Sequence, residues 1–382
     1  MTLLIAAQNI AQSIADRGDE IEAARRLPAD IAHSLSHAGL IRMLVPQALG
    51  GGEVSPWEAV EAIETVAESN AATGWCTMIA GTTGLVAAYL PKEDAREVYG
   101  AEDAYTGGVF APQGKAVVAG DTYRVNGQWQ WTSGGHNCQW LMGGCVIIED
   151  GEMKRLPNGA PDSRMVLFPQ ESVELIDTWY AAGMSGTGSG DMAVHDLVVP
   201  ARRSVSLVMD RPWADGPLYR FPLFGLLSLG IAGVALGNAK GAMRELKDLA
   251  LAKRRRDSRR TVAETGHGQT AMAQAHAKWR SARAYLHDVT DEAWETAQAG
   301  DPLPIETRAE IRLAAAHATR TCADITRDMY DLGGGTSVYL TSPLQRRFRD
   351  GHVATQHMMV AHSTFDIAGR ALYGLEVDPT FL

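Results

Sequence analysis

The spacing of apolar side chains along the chain changes period twice. Across residues 27–45 apolar residues recur at helical intervals (Ile31, Leu35, Ala38, Ile41), and the pattern breaks at Pro46 and the triplet Gly50-Gly51-Gly52. Ser55-Pro56-Trp57-Glu58 then carries a helix-start signal. The serine can cap, the proline suits the first helical position, and the glutamate closes a capping box. The apolar face Val60, Ile63, Val66, Ala67 follows it, and another apolar helix is expected over residues 74–90, ahead of Pro91. From Tyr123 the period falls to two. Tyr123, Val125, Trp129 and Trp131 alternate with Arg124, Asn126, Gln128 and Gln130, which predicts a half-buried strand with Asn126-Gly127 as a turn or bulge inside it. β-rich runs at 142–148, 164–169, 173–180 and 192–200 extend this into a barrel or sandwich. Helical spacing returns from about residue 220. Over 305–332, Ile311, Ala315, Ala318, Cys322, Ile325, Met329 and Leu332 follow alternating steps of four and three, the seam of an antiparallel bundle, and Gly333-Gly334-Gly335 ends it.

The order helical, β, helical divides the chain into units at 1–105, 106–215 and 216–382, with connections expected at 213–216 and 299–304. A length of 382 residues, 46% of them apolar and 21% charged, suits several packed units around a substantial core. The net charge of −10 disfavours a nucleic-acid surface, which needs a cationic footprint. The run Lys253-Arg254-Arg255-Arg256 reads instead as a solvated helix end, with cations near the negative pole of the helix. Cys76, Cys138, Cys145 and Cys322 are scattered and form no C-x-x-C pair, so neither a disulfide framework nor zinc is expected, and a reducing, cytoplasmic setting fits. The first twenty residues lack a cationic start and read as an amphipathic helix, not a signal peptide. Residues 221–236 are apolar but short for a membrane span and rich in glycine, which predicts a buried helix.

The chemistry-bearing signals are modest on their own. Neither G-x-G-x-x-G after a strand nor a G-x-x-x-x-G-K-[ST] loop occurs, and His352 and His357 stand five apart, a poor spacing for two metal ligands on one helix face. Metal is therefore not expected. Residues 129–136 run from aromatics into Thr132, Ser133, Gly134 and Gly135. They could wall a planar cofactor and bond its polar edge, or form a core strand closing in a glycine turn. The small-residue segment 183–190 could expose amides as an anion-binding nest, though composition alone favours a surface loop. A lone histidine such as His357 is usually structural, yet the small and hydroxyl residues around it leave room for a pocket.

Taken in order, these stretches resemble the acyl-CoA dehydrogenase superfamily over nearly the whole chain. Trp131-Thr132-Ser133 is similar to that family's flavin-contacting Trp-x-[Thr/Ser] segment, and Gly186-Thr187-Gly188-Ser189 before Asp196-Leu197-Val198-Val199-Pro200 to its barrel loop and exit strand. Gly333-Gly334-Gly335 and Arg349-Asp350 resemble its C-terminal Gly-Gly loop and Arg-Asp pair. Within the superfamily the chain resembles the two-component (group D) flavin-dependent monooxygenases, hydroxylases of phenols, steroid-derived phenols and dibenzothiophene-type substrates. Gly127-Gln128-Trp129 through Ser133-Gly134, His136 and Trp140 is similar to their Gly-x-Trp…Ser-Gly…His…Trp pattern. Pro343-Leu344-Gln345-Arg346 through Arg349-Asp350 and His357 is similar to their Leu-Gln-Arg…Arg-Asp…His pattern. The chain departs from the dehydrogenases where many carry a catalytic glutamate, a position that falls here on His357-Met358-Met359. Methionine cannot remove an α-proton. It departs from the hydroxylases at Thr83, where a pocket histidine is common.

The resemblance implies an α+β fold with an N-terminal helical domain, a central β-barrel and a C-terminal four-helix bundle. It implies reduced flavin (FMNH2 or FADH2) supplied by a separate reductase, a C4a-hydroperoxide formed with dioxygen, and oxygen transfer to an aromatic small molecule. Trp131, Thr132, Ser133, Gly186, Thr187, Gly333 and Gly334 are the expected cofactor-binding residues. The glycine loop would approach a flavin held mainly by another subunit, hence a homotetramer. Ser133 near flavin N5, and His357 deprotonating a phenol or orienting the distal peroxide oxygen provided that it titrates near neutrality, are the expected catalytic residues, with Trp75, Thr83 and His357 lining the substrate pocket. Two other readings stay open on the same fold: an acyl-CoA dehydrogenase or flavin oxidase with its base elsewhere, and a non-catalytic binding subunit.

Overall fold

The computed structural model describes residues 2–254, 259–379 and 382, so Arg255 and Arg256 of the cationic run lie outside the described residues. Six helices open the chain: α1 (Leu3–Ala15), α2 (Gly18–Ala24), α3 (Ala29–His37), α4 (Pro56–Ser69), α5 (Ala71–Thr83) and α6 (Lys92–Tyr99). The capping box forms at the start of α4, where Ser55 Oγ accepts from Glu58 N and the Glu58 carboxylate accepts from Ser55 N. Asn70 ends α4 and caps α5 by accepting from Thr73 N at 2.9 Å, so the two helices are joined by one residue. The helix expected over 74–90 thus begins earlier, and it tightens into a 3-10 turn over Gly84–Ala88. The helical pattern of residues 27–45 is cut at Gly39, whose φ of +75° a helix interior does not allow, although Ile41 beyond it stays buried.

Eight strands form one sheet: β1 (Thr106–Ala119), β2 (Thr122–Trp129), β3 (Trp140–Glu149), β4 (Glu152–Met153), β5 (Ser163–Pro169), β6 (Glu174–Ile176), β7 (Asp191–Pro200) and β8 (Ser204–Val205). The hydrogen-bonded order is β6-β7-β2-β1-β3-β5-β8, with β4 on β3. β1 and β3 run parallel, and the other pairs are antiparallel. The hydrogen-bonded path is open, with β6 and β8 at its edges, where closure was expected. Asn126-Gly127 marks a bulge, since the register against β7 slips between Val125 and Gly127. The strand expected over 173–180 shrinks to the three residues of β6. β1, the central strand, carries no alternation of apolar and polar residue types along its first half, where Gly107, Gly108, Pro112 and Gly114 interrupt it, and its register against β3 slips there as well.

Trp129 explains several of these glycines. Its indole is fully buried and donates from Nε1 to Gly144 O at 2.7 Å. A Cβ on Gly114, Gly127 or Gly143 would lie within 2.2–2.6 Å of the ring, so three strands leave out side chains to admit one. Trp131 does not share that face, contrary to the alternation. The strand ends at Trp129, the backbone turns to φ +72° at Trp131, and that residue is 60% exposed.

Five further helices follow among the described residues: α7 (Leu223–Ala252), α8 (Gly266–Ala299), α9 (Ile305–Gly333), α10 (Pro343–Ala354) and α11 (Ser363–Leu372). The seam of α9 is buried from Ile311 through Met329, and Leu332 is half-buried. α9 packs on α7, α8, α10 and α11, while α4 lies along α7 and ties the N-terminal helices to this group. α7 is long and apolar enough to cross a membrane, but 83% of its most apolar window is buried inside the protein. Lys253, at its end, donates to Gly333 O and Thr336 Oγ1, so the cation caps α9 rather than its own helix.

Candidate active site

The turn that follows β2 is built on the small-residue segment 183–190. Thr132 N donates to Gly190 O and Gly134 N to Thr187 O, each at 2.8 Å. Residues 183–190 are neither a surface loop nor an open anion nest. Met184 and Gly188 take left-handed conformations around the 3-10 turn Ser185–Thr187, and the segment is largely buried. Four of its amides are engaged: Met184 N with Asp350 Oδ1 at 2.6 Å, Thr187 N with Met184 O, Gly188 N with Ser185 O, and Gly190 N with Gly188 O. Gly183 passes so close to α10 that a Cβ there would lie 2.6 Å from the Arg349 backbone, and one on Gly186 would lie 2.3 Å from Ile21. Gly186 therefore serves packing, in contact with α2 and α5.

A single file of hydrogen bonds crosses this junction. Trp75 on α5 donates from Nε1 to Ser133 Oγ at 3.1 Å, Ser133 Oγ meets Ser189 Oγ at 2.7 Å, and Ser189 Oγ meets Thr187 Oγ1 at 2.6 Å. Thr187 Oγ1 donates to Met184 O at 2.8 Å. Thr187 thus reaches the turn through its neighbours. Beside them Thr132 Oγ1 is buried with no hydrogen-bond partner among the described residues, an uncommon state for a hydroxyl inside a protein.

Trp75 also meets His357, ring centroids 5.7 Å apart and planes at 62°. His357 follows α10, and its Nδ1 accepts from Met359 N at 3.2 Å, which leaves the proton of the neutral ring on Nε2. Arg312 of α9 holds the same turn by donating to Met359 O at 3.0 Å. Burial, and secondarily Arg312, push His357 down to about 4. The condition of titration near neutrality is therefore not met: the ring is neutral at physiological pH because its charged form would be poorly solvated.

Trp75, Ser133, Thr187 and His357 come together with Trp131 and Thr132 at this junction. Thr83 and the glycine loop stand apart. The Thr83 hydroxyl bonds Ala80 O and Thr106 Oγ1 where α5 meets β1. Gly333 and Gly334 end α9 and, among the described residues, their hydrogen bonds run to Lys253 and within their own turn. Ser189 and Arg312 were not singled out from sequence. Ser189 sits in a quoted small-residue run, whereas Arg312 carries no local signal at all. Among the described residues no group of three or more His, Cys, Asp or Glu side chains is placed to hold a metal. A cavity of about 540 Å³ opens between α9, α10 and α11, lined by Arg320, Asp324, His352, Thr355, His362 and Phe365.

Family models match both helical parts of the chain: the acyl-CoA dehydrogenase N-terminal domain over residues 5–97 and the acyl-CoA dehydrogenase C-terminal domain over 229–362. The chain belongs to the acyl-CoA dehydrogenase superfamily. Within it, the chain is 31% identical to the indole-3-acetate monooxygenase of Pseudomonas putida, over 95% of this chain and 91% of that one. It is also 31% identical to the flavin-dependent monooxygenase oxygenase subunit HsaA of Mycobacterium tuberculosis, over 93% and 91%. The crystal structure of 3-HSA hydroxylase from Rhodococcus sp. RHA1 superposes with a TM-score of 0.91 at 25% identity, covering 100% of this chain and 99% of that one. The protein is thus a flavin-dependent monooxygenase, an oxidoreductase that uses reduced flavin. The junction fits such a group. Thr132 Oγ1 lacks a partner among the described residues, and the exposed Trp131, on a left-handed backbone, offers an indole face for a planar ring.

Proposed function

We propose that this chain is the oxygenase component of a two-component system and hydroxylates an aromatic small molecule with dioxygen, its reduced flavin arriving from a separate reductase. The observation that carries the placement is the orphaned Thr132 hydroxyl, set beside the Trp75–Ser133 bond and the exposed face of Trp131. When bound, reduced flavin activates dioxygen and supplies the electrons for its cleavage. Trp131 packs against the ring, while Thr132 and Ser133 bond its polar edge. Trp75 and the helical wall of α5 keep water from the reacting face, which limits loss of the oxidant to solvent. His357, neutral, offers Nε2–H as a hydrogen-bond donor that orients the substrate's oxygen. Because Nδ1 is committed to Met359, we assign it this donor role in preference to that of a base.

The finer features of the fold fall in line with this reading. β5 lies close to β7 without a hydrogen-bonded pairing between them, consistent with a sheet curled into an incompletely closed barrel between helical units at 1–105 and 216–382. Val338, Tyr339 and Leu340 form an exposed apolar run beside Gly333-Gly334-Gly335, which supports burial of that loop in a homotetramer. Four free, buried cysteines suit a reducing cytoplasm.

The test is rapid mixing of the protein, loaded anaerobically with reduced FMN or FAD, with oxygen and a panel of indoles and phenols. Oxygenated product formed in step with flavin oxidation is expected. Reduction of bound oxidised flavin by an acyl-CoA, without oxygenation, would overturn the proposal in favour of a dehydrogenase.

A further inference from the structure

The turn that carries His357 is fastened from outside itself. His357 N donates to Ala354 O at 3.3 Å and Val360 N to His357 O at 3.0 Å, bonds that close the backbone without fixing the imidazole. The ring is held by Met359, whose amide donates to Nδ1. The carbonyl of that same residue is gripped from two other helices. Arg312 of α9 donates to it from Nε at 3.3 Å and from Nη2 at 3.0 Å, and Thr364 of α11 donates from Oγ1 at 3.4 Å. Arg312, Met359 and Thr364 are at most 4% exposed, whereas His357 is half-buried and so within reach of a ligand. Burial lowers the Arg312 guanidinium only to about 10, so it stays charged at neutral pH. A neutral donor would satisfy one carbonyl with less desolvation. The cation makes the stronger bond, and two nitrogens of a planar fork on one oxygen also fix its direction.

We propose that Arg312 is a positioning residue for the oxygenation, clamping Met359 so that its amide holds Nδ1 and His357 presents Nε2–H to the substrate. The inference rests on the assignment of His357 to the substrate. Arg312 acts only through Met359, at one remove from the reacting groups. The same cation disfavours a second proton on the ring, which keeps the neutral donor form in place. Without the clamp the imidazole turns and its donor no longer meets the substrate oxygen. Reduced flavin then passes both electrons to dioxygen as hydrogen peroxide, and no product forms.

The experiment reads two quantities on the full chain: hydrogen exchange of the Met359 amide without flavin, and product formed per reduced flavin oxidised. Loss of a charge-assisted bond is expected to speed Met359 exchange in Arg312→Met about ten- to hundredfold, and to lower the product yield about tenfold. In a His357→Ala background, Arg312→Met is expected to lower the yield no further, because the clamp then has no ring to hold. Arg312→Lys keeps the charge and one donor without the fork, and is expected to recover part of both readouts. If Arg312→Met fails to fold, Arg312→Lys carries the same comparison as the weakened clamp. Unchanged Met359 exchange in the folded variants overturns the clamp. An equal fall in yield with and without His357 overturns the positioning role and leaves Arg312 a structural residue. Wild-type protein that oxidises reduced flavin without oxygenating any substrate overturns the oxygenase reading and the positioning role with it; Met359 exchange, which needs no flavin, tells that failure from failure of the clamp.

Discussion

Asp350 is the carboxylate that joins α10 to the loop over residues 183–190, and its surroundings define a sharp pH test. It is 4% exposed, and its hydrogen bond is the 2.6 Å contact from Met184 N. Arg346 and Arg349 are near, yet their guanidinium groups bond elsewhere: Arg346 to Asp19 and Glu22, Arg349 to Glu22, Gln345 and Ala182 O. Burial therefore outweighs the two cations and raises the carboxyl from 3.8 to about 6. A displacement of about two units corresponds to about 3 kcal/mol. Because the folded pKa lies above the unfolded one, the stability Asp350 contributes is intact below pH 3.8 and is lost as pH rises through about 6. Asp350→Asn keeps a carbonyl for the Met184 amide and carries no charge at any pH. The difference in unfolding free energy, variant minus wild type, is thus expected to rise by up to about 3 kcal/mol between pH 4 and pH 7. Urea unfolding of both proteins at pH 4, 5, 6 and 7, followed by tryptophan fluorescence, measures it. A flat difference would refute the burial argument, and a difference that falls with pH would mean that attraction to the two arginines dominates.

Three more outcomes follow from the structure. Gly143→Ala sets a methyl 2.5 Å from the buried Trp129 indole and is expected to cost about 1–3 kcal/mol by overpacking, visible as a lowered thermal midpoint; an unchanged midpoint would mean the three-glycine clasp is loose. Arg347, 4% exposed, donates to the carbonyls of Ala67, Glu68 and Ser69 at the end of α4 and to Glu245, so Arg347→Met strands these acceptors and should cost about 3–5 kcal/mol in denaturant unfolding. Burial depresses His357 to about 4, so its neutral form persists well below pH 6.5, and stability linked to it declines only as pH falls from 6.5 through about 4. Histidine ring NMR, assigned with His357→Gln, should show a midpoint near 4, and a midpoint near 6.5 would disprove the desolvation argument.

Features decided within a few residues were legible in the sequence. The Ser55–Glu58 box, the bulge at Asn126-Gly127 and the α9 seam each follow from neighbours at most four positions apart, where spacing and chemistry act directly. The family's motifs also marked Trp131, Thr132 and His357 as candidates, which the fold sets at one junction with Trp75. Position decided the rest. β1 escaped notice because its glycines and proline are explained only by Trp129 and by the parallel strand β3. Trp129 and Trp131 look equivalent in the alternation, yet one fills the core and the other faces outward, because the strand ends between them. Ser189 meets Ser133 across 56 residues, Trp75 meets Ser133 across 58, and Asp350 meets Met184 across 166. No local period encodes such pairs. The hydroxyl file and the depressed pKa of His357 are properties of burial and of partners brought in from other elements, and these exist only once the chain has folded.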